Sequence, residues 1–224
     1  EKQCHSTIAQ CSGRVEWGEP GAGEGTRSLM SESYWRKPLA WDKQAWHSKR
    51  TPTVFPSLCD PFDTAVPDEW RARFMDLIFH TPNLTWLLLT KRVGNVRKLV
   101  NSLPGNVALG ATFANQAEWD RDSPKLRDAV ERFKPMFSFA SFEPMLSHVD
   151  MADAWRPDWI ICGGETNQGQ HKARESDVMW FRSLKEQAEF YGKRFHIKQI
   201  TRAGRPIPMS EWPDDLRVQE FPLV

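Results

Sequence analysis

Six short apolar runs along the chain each end in polar residues. They are 54–60, 86–91, 107–112, 136–143, 159–165 and 194–199. Most of the segments between them repeat apolar residues every three or four positions, which is the spacing of a helix with one buried face. Apolar runs that alternate with such helices are typical of parallel strands joined by helical crossovers. The pattern predicts an α/β fold with about six parallel strands, whose polar C-terminal ends lie at one edge.

Four helices are predicted in the connections between these strands. The first three begin near Pro67, after Lys91 and at the Ser123-Pro124 pair, and the fourth covers about 177–191. Ser123 suits an N-cap and Pro124 the first helical position, while Gly192 suits the residue after the last helix. Residues 35–50, with three tryptophans among five basic side chains, are predicted as a loop and a short helix.

Two architectures fit this order of elements, a partial (β/α) TIM-type barrel and an open doubly wound sheet. Polar residues follow all the predicted strands, and a barrel brings every strand end to one mouth. The barrel is therefore favoured, with 34–200 as its extent. Residues 1–33 are predicted to be irregular, and 201–224 to form an extended, proline-rich tail docked on the barrel.

Charge and composition narrow the functional classes. Lys and Arg number 30 against 29 Asp and Glu, so the chain lacks the general positive field of a protein that coats duplex DNA. No apolar run approaches the roughly 18 residues that a membrane span needs. Four cysteines in 224 residues do not form a disulfide scaffold. They indicate either free thiols in a reducing cytoplasm or ligands of a metal or cluster. The chain begins at Glu1 rather than at methionine, so we expect further N-terminal sequence.

Candidate chemistry lies at the predicted strand ends. We assign catalytic roles to Lys91, Glu143 and Lys198, and cofactor binding to Thr90, Ser141, Gly163, Gly164 and Glu165. Two glycines after an apolar strand allow a ligand to approach the backbone, and the neighbouring carboxylate can accept hydrogen bonds from an amine. A strand-end lysine can form a Schiff base, clamp a phosphate or carboxylate, or pair with a glutamate. A ring of purely structural salt bridges is the alternative for the whole set.

The sequence resembles a phage-encoded family of radical-SAM-like proteins that is catalogued as a domain of unknown function. The matching stretches are 38–41, 60–63, 66–69, 88–92, 106–110, 141–146, 163–165 and 197–199. The resemblance implies a partial TIM barrel and an N-terminal cysteine motif that holds a [4Fe–4S] cluster. Cys4 best matches the end of that motif and Cys11 is the reserve ligand, although His5 replaces the family's tyrosine.

The resemblance also implies a mechanism. The reduced cluster would cleave S-adenosyl-L-methionine to a 5′-deoxyadenosyl radical, which abstracts hydrogen from a substrate in the barrel. Phage ancestry would place the enzyme in the host cytoplasm, with a nucleic-acid base or modified nucleotide, as in DNA modification, as one possible substrate class. Five basic residues could form a phosphate-binding rim: Arg92, Lys172, Arg174, Arg202 and Arg205.

Two other functions stay open at this stage. A cluster-free barrel could act as a lyase or aldolase through a lysine and a glutamate. A barrel that has lost catalysis could serve as a binding module, which the incomplete cysteine region would suit. The sequence leaves the substrate and the oligomeric state open.

Overall fold

The computed structural model describes residues 25–57, 59–151, 155–169 and 171–222. Six strands in these ranges form one parallel sheet whose neighbours follow chain order. They are β1 (Thr53–Val54), β2 (Thr85–Thr90), β3 (Val107–Thr112), β4 (Ser138–Phe142), β5 (Trp159–Gly163) and β6 (Arg194–Gln199). The sheet curls into a half-barrel, which confirms the predicted α/β fold with six parallel strands. Cys4 and Cys11 lie outside the described residues.

Helices cover one face of this sheet. They are α1 (Glu32–Trp35), α2 (Lys37–Ser48), α3 (Asp68–Phe79), α4 (Val96–Leu99), α5 (Gln116–Phe133) and α6 (Val178–Phe190). The predicted helices near Pro67 and over 177–191 are confirmed, and Gly192 follows α6 with a left-handed φ of 63°. In the described part of the chain no helix combines the length and apolar character of a membrane span.

Some predicted boundaries are wrong. Helix α5 begins at Gln116, seven residues before Ser123, and Pro124 lies inside it. The Asn115 side chain accepts a hydrogen bond from the Glu118 amide at 3.0 Å, and this N-cap outweighs the later proline signal. Helix α2 replaces most of the loop predicted for 35–50. The first apolar run, 54–60, contributes only Val54 to the two-residue strand β1.

The two faces of the sheet carry separate apolar clusters. On the helix-covered, convex face, Leu88, Leu109 and Phe142 pack with residues of α3, α5 and α6. Alternate strand residues point to opposite faces, and a second cluster forms the floor of the concave face. This concave floor consists of Leu87, Ala108, Phe137, Phe139 and Trp159. Successive side chains along each strand therefore alternate between the layer packed against the helices and the concave face.

The C-terminal residues pack beside β6. A two-stranded hairpin, β7 (Thr201–Arg202) with β8 (Arg205–Pro206), is followed by two 3-10 turns in which Trp212 and Leu216 are buried. Gln219 then bridges antiparallel to His196, and the Glu220 amide donates to the Phe195 carbonyl at 3.0 Å. This contact covers the edge of β6, which would otherwise present unpaired backbone groups.

Gly110 provides a test of packing in the concave floor. A Cβ at this position would overlap three carbons of the Phe139 ring, which is 1% exposed. We expect Gly110→Ala to lower the free energy of unfolding by about 1–3 kcal/mol, because Phe139 has no free volume into which to move. Urea denaturation measures the change.

Gly105→Ala is the matched control, because a Cβ there meets nothing within 4 Å. Its free energy of unfolding should stay within about 0.5 kcal/mol of the parent. Equal stabilities of the two variants would contradict the proposed packing of Phe139 against Gly110.

Candidate functional site

Two hydroxyl groups lie side by side on the concave face, in the register row two residues beyond Phe139 of the apolar floor. Thr112 and Ser141 are register partners on β3 and β4, so their side chains point to the same side. Their residues are 8% and 3% exposed. Among the described residues neither hydroxyl makes a hydrogen bond. Neither oxygen is among the fully enclosed atoms that lack a partner, so both hydroxyls are accessible and this pair marks a position suited to a ligand.

An ion pair lies beside these hydroxyls. Glu143 follows β4, Lys198 lies on β6, and the Lys198 amine donates to the Glu143 carboxylate at 2.6 Å. Strand β5 runs between them, and Gly163 occupies the position that separates the two side chains. An added Cβ on Gly163 would lie 3.5 Å from the Glu143 Cγ. The absence of a side chain at Gly163 thus lets opposite charges from β4 and β6 meet across β5.

His196 belongs to the same face and was missed at the sequence level. It precedes Lys198 by two residues on β6 and therefore shares its side of the sheet. Its ring packs edge-on against Trp159, with 5.7 Å between centroids. Burial lowers the pKa of His196, against the opposing effects of the Glu220 carbonyl and the Glu143 charge. The alternation of His196 and Lys198 on one strand was the signal that could have revealed it.

Glu165 has a structural partner. Its carboxylate accepts hydrogen bonds from the Arg174 guanidinium at 2.6 and 2.9 Å and from the Arg174 amide at 2.8 Å. His171 lies 3.5 Å away. The hydrogen bonds from Arg174 lower the pKa of Glu165 to about 2. Glu165 thus ties the loop after β5 to the end of that strand, and its oxygens are engaged.

Gly164 is required by packing. A Cβ at Gly164 would overlap the Thr201 hydroxyl and lie 3.1 Å from the Thr201 Cβ. The Gly164 amide donates to the Gln199 carbonyl at 3.1 Å, and the Gln199 side chain donates back to the Gly164 carbonyl at 2.7 Å. The two adjacent glycines therefore have different roles. Gly163 leaves space for the Glu143–Lys198 contact on the concave face, and Gly164 leaves space for the Thr201 side chain.

Thr90 lies on the other face from this cluster. Its hydroxyl donates to the Asp60 carboxylate at 2.9 Å, and Arg92 binds Asp60 at 3.0 Å and Asp63 at 3.4 Å. These contacts hold the loop after β1 over the end of β2. Lys91 follows Thr90 and has the parity of the concave face, but β3 separates it from Glu143. At about 5 Å per strand their backbones are about 10 Å apart.

The predicted basic rim is largely neutralised by neighbouring carboxylates. Arg92 pairs with Asp60, Arg174 with Glu165 at 2.6 Å, and Arg202 with Glu211 at 3.3 Å. Cations held in this way attract phosphates less strongly.

The described residues contain no group of three or more His, Cys, Asp or Glu side chains placed to hold an ion. Cys162 is completely buried on the convex side of β5, and burial raises the pKa of its thiol well above the usual value. Cys162 does not fit a cluster, since cluster ligation requires thiolates.

The fold and this face define an α/β half-barrel protein with a polar cluster at the C-terminal ends of its strands. The model of a family described as a protein of unknown function (DUF5131) matches residues 3–207, and the chain belongs to that family. No curated protein matches the chain, and no solved structure does.

The Glu165–Arg174 ion pair should make the stability of the protein depend on pH. The pKa of Glu165 is about 2 in the folded protein, below the value of about 4.3 for an unfolded glutamate. The folded state therefore binds fewer protons, and the pair stabilises the protein above about pH 5 but loses this effect as the pH falls toward 2. Glu165→Gln should cost roughly 1–3 kcal/mol at pH 7, because Arg174 is partly exposed and screened.

The measurement is urea denaturation of the parent and Glu165→Gln at several pH values between 7 and 3. The difference between them should shrink as the pH falls. Glu211→Gln is the control, since Glu211 and Arg202 are both more than half exposed and their pair should contribute little. A difference for Glu165→Gln that is constant with pH would refute this role of the ion pair.

Proposed function

We propose that the protein is a radical S-adenosylmethionine-type enzyme built on a partial (β/α) TIM-type barrel, with its reaction centre on the concave face. The observation that carries the proposal is the cluster of Thr112, Ser141, Glu143 and Lys198 above an apolar floor. It lies at the C-terminal ends of parallel strands, where barrel enzymes place their active sites. The motif resemblance supplies the reaction class.

The Glu143–Lys198 pair matches the amino-acid part of S-adenosylmethionine. That part carries one ammonium and one carboxylate, and the pair offers one carboxylate and one cation 2.6 Å apart. On binding, each protein charge would exchange its present partner for the opposite charge of the ligand. The side chain of Lys198 is 55% exposed and can move aside at little cost.

The remaining residues of the face would orient the ligand and exclude water. The Thr112 and Ser141 hydroxyls would form hydrogen bonds to ribose oxygens. The floor, with Phe139 and Trp159 both at most 5% exposed, would keep solvent from that side. Lys91 would approach the substrate from the opposite side of β3, while Thr90 and Glu165 would act by holding the loops that frame the mouth.

The cluster would be held by residues before 25. Cys4 and Cys11 would supply two thiolates, and a third ligand is needed to leave one iron open. When bound, the cluster and S-adenosylmethionine would supply a 5′-deoxyadenosyl radical that takes hydrogen from the substrate. The free thiols of Cys59 and Cys162 support a cytoplasmic setting for this enzyme.

A lyase or aldolase is the alternative reaction class, with a lysine and a glutamate as its catalytic residues. A substrate imine trapped by borohydride on Lys91 or Lys198 would favour that alternative.

The test is anaerobic purification of the full-length protein with iron and sulfide assays. We expect about four irons per chain and release of 5′-deoxyadenosine after reduction with dithionite. Cys4→Ala should lose the iron. Glu143→Gln should keep the iron but weaken S-adenosylmethionine binding about tenfold or more in equilibrium dialysis, because one charge-assisted contact is removed.

Lys193→Met is the control, because Lys193 pairs with Asp158 at 3.4 Å at the N-terminal end of β5 and β6, away from the proposed centre. It should match the parent in iron content, in binding and in 5′-deoxyadenosine release. A full-length protein that is iron-free and releases no 5′-deoxyadenosine would overturn the proposal. Ligand binding without any turnover would point to the inactive binding module.

A further inference from the structure

Basic and aromatic side chains are concentrated on the surface of α1 and α2. Residues 34–50 contain five Lys or Arg and one Asp, whereas the whole chain carries 30 basic and 29 acidic residues. The same segment exposes large apolar side chains: Tyr34 is 47% exposed, Leu39 46%, Trp41 40% and Trp46 60%. Exposed tryptophan is uncommon on a surface that has no partner.

Both acidic side chains of α1 and α2 are engaged with other parts of the molecule. The Asp42 carboxylate accepts hydrogen bonds from the Asn83 amide at 2.7 Å and from the Asn83 side chain at 3.0 Å. Glu32 pairs with Arg73 of α3 at 2.6 Å. Glu32 also attracts Arg36, but among the described residues no ion pair involves Lys43, Lys49 or Arg50. This part of the surface therefore keeps a positive charge that the near-zero net charge of the chain conceals.

The basic and apolar residues of α2 alternate along one stripe. Arg36, Leu39, Lys43 and Trp46 are spaced three or four residues apart, which places them on one side of the helix over about 15 Å. Lys49 extends this stripe, and its amine lies 4.3 Å from the centroid of the Trp46 ring. A positive charge thus lies over the Trp46 ring, and Leu39 stands between Arg36 and Lys43 along the stripe.

This arrangement points to single-stranded nucleic acid. Proteins that bind unpaired strands combine basic groups for the phosphates with aromatic rings on which bases stack. A duplex would offer no free base face to Trp46. Helices that lie on membranes separate their apolar and basic residues onto different faces, whereas here the two types alternate on one face. We propose that the stripe formed by Arg36, Leu39, Lys43, Trp46 and Lys49, with Arg50 beside it, binds single-stranded DNA or RNA.

The stripe is separate from the concave cluster. Asp42 holds α2 to Asn83, which precedes β2, so α2 is fixed near the N-terminal ends of the strands. The hydroxyls and the Glu143–Lys198 pair lie at the C-terminal ends. Binding to the stripe is therefore independent of the proposed reaction, and each can fail without the other.

The experiment measures binding of a fluorescein-labelled fifteen-thymidine oligonucleotide to the full-length protein by fluorescence anisotropy. We expect binding at 50 mM salt that weakens at 200 mM, because phosphate contacts release counterions. Trp46→Ala should weaken binding about tenfold, whereas Trp46→Phe should stay within about threefold of the parent, since a ring remains for stacking. Lys43→Ala should weaken binding and lower the slope of log affinity against log salt by about one.

Matched controls exist elsewhere on the surface. Phe190 is 81% exposed on α6, and Lys98 is an exposed residue of α4. Phe190→Ala and Lys98→Ala should bind the oligonucleotide as the parent does. All variants should keep the parent's urea midpoint, because the altered side chains are exposed.

Three outcomes would overturn the proposal. The first is no oligonucleotide binding at 50 mM salt. The second is binding that Trp46→Ala leaves unchanged or that Phe190→Ala weakens equally. The third is Trp46-dependent binding to vesicles of anionic phospholipid without oligonucleotide binding, which would identify a membrane surface as the partner.

Discussion

The parallel register of β2 to β6 is the constraint on which the rest of the structure depends. Partners across a parallel sheet point to the same side, so each register row from β2 to β5 is wholly concave or wholly convex. Between β5 and β6 the register shifts after Cys162, and Gly163 pairs with Gln199. The row that pairs Gly110 with Phe139 is apolar, and the row that pairs Thr112 with Ser141 carries hydroxyls. A slip of one residue would exchange the two faces and place hydroxyls against the helices. The register thereby fixes a dry floor directly below a polar row.

Glycine positions convert this register into a site. Parallel neighbours two strands apart are normally separated by the side chain between them. Because Gly163 contributes none, Glu143 and Lys198 meet at 2.6 Å across β5. The space that a side chain at the neighbouring Gly164 would occupy is taken by Thr201, which packs the C-terminal hairpin against the end of the same strand. The adjacent positions therefore connect the candidate site with the packing of the C-terminal region.

The sequence predicted the strands well because buried parallel strands are continuously apolar and end sharply. The sequence alone could not show which polar residue at a strand end lies on which face of the sheet, since that assignment requires the strand register. Thr90 and Lys91 are adjacent in sequence, yet Thr90 binds Asp60 on the convex side while Lys91 has concave parity. Partners distant in sequence were equally invisible: Lys198 and Glu143 are 55 residues apart. The start of α5 was misplaced because Asn115 and Ser123 both suit an N-cap, and it is the Asn115 side chain that accepts a hydrogen bond from the Glu118 amide.

The two charged regions of the molecule differ in a way that bears on what each can bind. In the concave cluster opposite charges are paired at short range over a buried floor, which suits a small ligand carrying both signs. On α2 the lysines form no ion pair within the described residues and alternate with exposed apolar side chains, which suits a long polyanion with flat bases. Strand β2 has six residues, so the two regions are separated by about 20 Å along the strands. A flexible polymer held at α2 could span that distance, whereas a small metabolite could not. If both proposals hold, a nucleic-acid substrate would explain why one chain carries two such different surfaces.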